Sequence, residues 1–402
     1  MGLIIERIEI LLLIAAVVSM IARRLKLPYT VGLVVAGLIL ALIPQTVEIN
    51  LTKELIFTAF LPPLIFEAAF QMHWKEIRDD FAVTVTLATV GVVASAALVA
   101  AGVHYLAGWR WEAAILIGVL LSATDPVSVI ATFKEAGVEG RLRMLVEVES
   151  LFNDSTVAVL FGVALMAATG GAVTASGAAI SFGVTVVGGV VCGLLVGGAV
   201  LLLAGRTEDH LVEITFTSVA AYGAFLLAEH FHFSGVLATL TAGILLGNIR
   251  HLGAITDRGR EEVVAFWEYV GFVANSLIFL LIGMQLTHQR FGAVWLPIGV
   301  AIVFVTLGRA VAVYGGCGLF VRSRVRVRMA RQHVLFWGGL RGALSLALVL
   351  GLPAALPERE SIITVTFAVV AFSVIVQGLT VTPLLKKLGE VKSAGSEEVH
   401  AD

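Results

Sequence analysis

VEVESLFNDSTVAVLF, residues 146–161, opens as a charged loop and runs out into an apolar stretch. Its flanks make it a membrane-spanning helix that carries Glu149, Ser150, Asn153 and Asp154. At helical spacing Ser150 and Asp154 are i,i+4 neighbours, while Asn153 lies i+3 from Ser150 and i+4 from Glu149. One face therefore bears a hydroxyl, an amide and two carboxylates. An ionisable group at bilayer depth costs about 2.5–3.5 kcal/mol even on the mildest insertion scale, so such groups mark ion or proton pathways. A polar residue satisfied inside a helix bundle accounts for one of the four. It does not account for all.

The composition supplies the matching solvent. With 58% hydrophobic and 14% charged residues and a mean hydropathy of +0.98, the chain is neither an ordinary soluble domain nor a disordered one. It reads as an all-α polytopic membrane protein. A net charge of −2 carries no nucleic-acid signal. Cys192 and Cys317 both fall in apolar helices, which indicates neither a disulfide scaffold nor a metal cluster. His230 and His232 sit at a helix end and read as solvated side chains. The apolar run from Leu3 to Ala22 has no basic segment before it and is followed by Arg23 and Arg24. It reads as a retained first span, not a cleaved signal peptide.

Windows of about 20 apolar residues place thirteen spans near 3–22, 28–44, 51–70, 80–106, 111–133, 142–168, 174–204, 210–229, 233–248, 262–286, 292–320, 331–353 and 360–385. Gly271 offers a place for a break in the tenth. Charge supports the number. Only Arg7, Lys53, Arg110, Arg290 and Arg359 fall in one alternate set of loops, and Arg309 and Arg341 lie within spans. All the other Lys and Arg among the 27 fall in the opposite set, which puts the C-terminus inside and the N-terminus outside. After Lys387 only a short polar tail remains.

Six helices, a linker helix and six more make two inverted repeats, a common plan of secondary transporters. Spans 1–6 then match spans 8–13, and span 5 matches span 12. These two are the ones with disturbed helix chemistry. GVLLSATDPVSVIATF (118–133) has Thr124-Asp125-Pro126 at its middle, where proline removes a backbone donor and frees carbonyls. WGGLRGALSLALVLGLP (337–353) has Gly338, Gly339 and Gly342 around Arg341. Broken helices at matching positions point to a substrate site near the midplane.

A hard monovalent cation such as Na⁺ takes oxygen ligands. Asp154, Ser150 and the carbonyls loosened around Thr124 supply them. In FLPPLIFEAAF (60–70), Glu67 follows Pro62-Pro63 and adds a further carboxylate, or else sits at the cytoplasmic interface. Asn153 is expected to hydrogen-bond Asp125, and Glu149 to form a buried, structural ion pair with Arg341. Arg309 is structural or pairs with a carboxylate. Proton and cation then compete for Asp154, and alternating access turns that competition into exchange. Because Asn153 is uncharged, one titrating acid remains, so an electroneutral one-for-one exchange is expected. Glu67 and Asp125 are the residues that could add a second titration.

Taken together, Thr124-Asp125-Pro126, Glu149-Ser150-Leu151-Phe152-Asn153-Asp154, Leu61-Pro62-Pro63 with Glu67, and Gly339-Leu340-Arg341-Gly342-Ala343 resemble the NhaP/NHE-type sodium/proton antiporters. The four motifs occur in the family's order and the resemblance spans essentially the whole chain. It implies a homodimer in the cell membrane, with spans near 111–133, 142–168, 331–353 and 360–385 in a mobile ion-transport core. Spans such as 3–22 and 174–204 would form a dimerisation bundle, the antiporter unit would cover residues 1–390, and 391–402 would be a cytoplasmic tail. Motion would be elevator-like. The family implies Asp154 as the ion-binding carboxylate, with Ser150, Glu67 and the Thr124 carbonyl as Na⁺ ligands, Asn153 bonded to Asp125, and Glu149 paired with Arg341. It also places the Asn-Asp form in the electroneutral branch. No cofactor beyond the transported Na⁺ and H⁺ is expected, and the short tail suggests a prokaryotic type without a regulatory module.

Three other functions fit parts of the pattern. K⁺/H⁺ exchange by the same fold differs only in cavity size and ion hydration. A cation channel could use the carboxylates as a ring, with flux uncoupled from pH. An intramembrane aspartyl protease needs two aspartates from different helices, and Asp125 with Asp154 formally qualify.

Overall fold

The computed structural model describes residues 2–25, 27–43, 51–138, 140–171, 174–204, 209–248 and 257–390. The tail expected at 391–402 lies outside these residues. Among them the chain is helical. Its helices are α1 Gly2–Leu25, α2 Tyr29–Ala41, α3 Leu55–Gln71, α4 Trp74–Ala107, α5 Trp111–Leu120, α6 Pro126–Ala136 and α7 Arg141–Ala168. There follow α8 Ala175–Ala204, α9 His210–His230, α10 Gly235–Asn248, α11 Asp257–Leu286, α12 Phe291–Gly318, α13 Met329–Trp337, α14 Ala343–Leu350 and α15 Arg359–Lys387.

Local chemistry sets the ends. Arg23 and Arg24 close α1 where its C-terminal partial charge favours cations. Gly108 ends α4 in the left-handed region at φ 72°, and Asp209 caps α9 by accepting from Leu211 N–H at 2.9 Å. Seven helices are long and apolar enough to cross a membrane, namely α4, α7, α8, α9, α11, α12 and α15. Four shorter ones, α2, α3, α5 and α10, are also apolar.

Two windows contain interruptions. The fifth is divided into α5 and α6 by an unwound stretch at 121–125, and the twelfth into α13 and α14 by one at 338–342. The tenth is not broken: α11 runs straight through Gly271. The glycine is there for a different reason, since a Cβ at Gly271 would collide with the Glu67 carboxylate packed against it.

The largest buried cluster joins α4 to α7 with α11 to α15. A second, around Phe66, Phe70, Val200, Ala221 and Trp267, ties α3 to α8, α9, α10 and α11, and a third of small residues joins α8, α9 and α10. Helices α2 and α11 cross closely, with Gly37 against the Leu280 carbonyl and Gly283 against that of Val34. Ile180, Val184, Val187, Leu195 and Leu202 on α8 stay exposed, as apolar side chains facing lipid do.

Candidate functional site

The two unwound stretches meet. Asp125 N–H donates to Leu340 O at 2.7 Å, and Ser345 Oγ donates to Leu120 O at 2.7 Å. Each break therefore satisfies a backbone group that the other lost by leaving the helix. Gly342 makes the approach possible, because a Cβ there would occupy the place of the Asp125 carboxylate. The matched spans 5 and 12 therefore meet at their breaks.

The charges at the crossing follow the helix ends. Asp125 immediately precedes α6 and accepts from Ser128 Oγ at 2.5 Å, so its carboxylate lies at a helix N-terminus. Arg341 follows α13 and donates from Nη1 to Gly339 O at 2.9 Å, while its backbone N–H donates to Ser373 Oγ, also at 2.9 Å. Ser373 stands in a π-helical turn of α15 and passes its own proton to Gln377 Oε1 at 2.5 Å. A cation at one helix C-terminus and an anion at another's N-terminus offset the partial charges left by the breaks.

Helix α7 passes beside the crossing and presents the opening motif. Thr124 Oγ1 donates to Ser150 Oγ at 3.1 Å, with both residues buried. Asp154 is 4% exposed and accepts no hydrogen bond from any described residue, and its Oδ1 is fully enclosed. A buried carboxylate without a donor is costly unless something neutralises it. Beside it is a cavity of about 20 Å³, room for one water-sized particle. One wall comprises Thr124, Asp125, Asp154 and Ser345 with their neighbours in the breaks and α7. The facing wall comprises Leu61, Leu64 and Ile65 of α3 and Asn275, Ile278 and Phe279 of α11.

Three expected contacts are different. Glu149 pairs with Arg309, not Arg341: Nη1 and Nη2 of Arg309 reach its two carboxylate oxygens at 2.7 and 2.9 Å. Arg309 comes in from α12 across the bare face of Gly339 and also donates to Leu335 O. Arg341 turns back on the carbonyls of its own unwound chain, and its Nε has no partner among the described residues. Asn153 donates from Nδ2 to Glu149 Oε1 at 3.4 Å, along its own helix, not to Asp125, and its Oδ1 has no partner among the described residues. Asp125 is held instead by Ser128 on the helix that it precedes. Glu67 is half-buried against Gly271 and does not line the cavity, although Leu64, one turn earlier on α3, does.

Sequence reasoning missed Asn275, Ser345 and Ser128. Asn275 was visible by the criterion that found Asp154, a polar residue inside an apolar run (VANSLIFLLIG, 273–283). The two serines gave no signal, since serine is common in packed membrane helices.

A family model described as the sodium/hydrogen exchanger, transmembrane, matches residues 10–387. The chain belongs to that family. Among similar members is the low-affinity Na⁺/H⁺ antiporter NhaS1 of Synechocystis, 40% identical over 369 residues, which cover 90% of this chain and 70% of that protein. The Na⁺/H⁺ antiporter NhaH of Halobacillus dabanensis is 35% identical over 400 residues, covering 96% and 98%. The exchanger fold itself is seen in the sodium proton antiporter MjNhaP1 of Methanocaldococcus jannaschii. Its structure at pH 8 superposes with a TM-score of 0.74 at 21% identity, over 96% of this chain and 98% of that one. As an exchanger-family member, the chain is an integral membrane transporter.

Proposed function

We propose that the protein exchanges Na⁺ for H⁺, one for one, at Asp154. The observation that carries this is the carboxylate itself: buried, without a hydrogen-bond donor among the described residues, and lining a small cavity where two broken helices meet. A proton or a cation can neutralise it, and protonation removes the negative charge that the cation needs. Loss of one is then a condition for gain of the other. Asp154 and the oxygens of Thr124 and Ser150 bind the ion, Asp125 and Arg341 hold the crossing, and the Glu149–Arg309 pair fixes α7 against α12. Glu67, packed on Gly271 and away from the cavity lining, is not among these ligands. The antiporters similar in sequence support Na⁺ as the cation.

In this reading the windows all cross the membrane, thirteen in number, with the N-terminus outside and the C-terminus in the cytoplasm of a cell-membrane protein. The broken helices with α7 and α15 belong to the moving core, and α12 moves with them because the Glu149–Arg309 pair ties it to α7. Helices α1 and α8 belong to the bundle that pairs two copies.

The experiment is transport in proteoliposomes with an internal pH dye, offering Na⁺, Li⁺ and K⁺ in turn. Na⁺ is expected to move protons, and Asp154→Ala to abolish that movement while a folded protein remains. Proton flux driven by K⁺ alone would change the substrate, and residual exchange by Asp154→Ala would overturn the site.

A further inference from the structure

The two walls of the cavity differ in kind. The wall formed by the breaks and α7 offers several oxygens, but the facing wall is leucine, isoleucine and phenylalanine with one exception. That exception is Asn275, 2% exposed, on α11. A buried amide in an apolar wall needs its donors and its acceptor satisfied. Asn275 Nδ2 donates to the hydroxyl of Tyr29 on α2. That bond consumes a donor and leaves Oδ1, which accepts no hydrogen bond from the described residues and does not belong to the fully enclosed unsatisfied atoms. The amide is oriented by Tyr29, its oxygen is unused, and its residue lines the space next to Asp154.

We infer that Asn275 supplies an oxygen ligand to the transported cation from the wall opposite Asp154. The inference rests on the proposed role of Asp154. The size of the cavity makes the step short. Asp154 and Asn275 line one cavity of about 20 Å³, so a cation neutralised by Asp154 sits in a space that Asn275 also borders. Na⁺ takes oxygen donors, and an amide carbonyl is a neutral one that does not titrate. Asn275 therefore strengthens cation binding without adding a second proton to the exchange. A proton on Asp154 needs no such ligand, so the residue tilts the competition toward the cation. Tyr29, its ring tilted against Phe272 at a centroid distance of 6.0 Å, is the positioning residue.

The alternative is that Asn275 and Tyr29 are only a clasp between α11 and α2. The test separates the two with four variants in proteoliposomes: Asn275→Leu, Asn275→Ala, Tyr29→Phe and Ser276→Ala. Ser276 is the neighbouring buried residue, fully enclosed and absent from the cavity wall. For a lost ligand of ordinary hydrogen-bond strength, the half-saturating Na⁺ concentration should rise about tenfold in the Asn275 variants, with the maximal rate kept within about threefold. Ser276→Ala should leave half-saturation where it is. Tyr29→Phe removes the positioning bond but leaves the ligand in place, so it should raise half-saturation by only about threefold, less than the Asn275 variants do. If Asn275→Leu does not fold, Asn275→Ala carries the measurement. Native half-saturation in either folded Asn275 variant overturns the inference, as does a rise of equal size in Tyr29→Phe. Asp154→Ala is run beside them. Exchange that survives in that variant removes the proposed site, whereas its loss together with normal Asn275 variants removes the ligand role alone.

Discussion

At the scale of single residues, sequence identifies the expensive groups and structure identifies their partners. Glu149 was legible as a carboxylate in need of a cation, but two arginines were available within spans, and chain distance does not separate them. The choice depends on how α12 is rotated against α7 and on Gly339, which leaves space for the Arg309 guanidinium. The bidentate geometry has an energetic consequence. Removing one partner of a buried pair leaves an uncompensated charge and costs about 3–5 kcal/mol, whereas replacing both with neutral groups costs far less. Arg309→Ala should accordingly lower the thermal stability of the detergent-solubilised protein sharply. Arg309→Met combined with Glu149→Gln should recover most of the loss. A double variant no more stable than Arg309→Ala would show that the pair is not what holds Glu149. Asn153 teaches the same point, since its spacing i+4 from Glu149 was on the page and that neighbour, not Asp125, takes its amide hydrogen.

At the scale of elements, hydropathy windows located the helices well because a membrane leaves the backbone no alternative: every segment at depth must satisfy its own hydrogen bonds. The exceptions are the two places where another unwound segment does it instead. Both were signalled by proline or clustered glycine with a charge. Gly271 lacked both the cluster and the charge and marks no break, because a lone glycine also serves to admit a neighbouring side chain. What the sequence could not show is that the breaks dock through Asp125 N–H to Leu340 O and Ser345 Oγ to Leu120 O. Gly342 tests that docking. Gly342→Ala puts a methyl group where the Asp125 carboxylate lies, so exchange should fall by more than about tenfold, the effect of a geometric error at a binding constellation. Gly162→Ala, on the exposed face of α7 with open space around it, should be neutral or should stabilise the helix by up to about 1 kcal/mol. Equal activity in the two variants would mean that the crossing tolerates displacement.

At the scale of the whole molecule, a single carboxylate between two walls ties ion selectivity, pH response and voltage response together. If proton and Na⁺ exclude each other at Asp154, acid must weaken Na⁺ binding by mass action. The half-saturating Na⁺ concentration should then rise as pH falls, approaching tenfold per pH unit where Asp154 is mainly protonated, and level off where it is mainly ionised. The maximal rate at saturating Na⁺ should change much less, because enough cation displaces the proton. The same exclusion fixes the charge carried. The site crosses once as an aspartate–cation pair and once as a protonated acid, both neutral at Asp154. The other charged groups at the crossing, Asp125, Arg341 and the Glu149–Arg309 pair, cross identically both times. An imposed membrane potential acts on net charge moved, at about 2.3 kcal/mol per elementary charge per 100 mV. With none moved, the exchange rate in proteoliposomes should be unchanged when a valinomycin–K⁺ potential of either sign is applied. A rate that follows the potential, or half-saturation by Na⁺ that is flat with pH, would require a second titrating group, and Asp125 and Glu67 are the carboxylates to replace first.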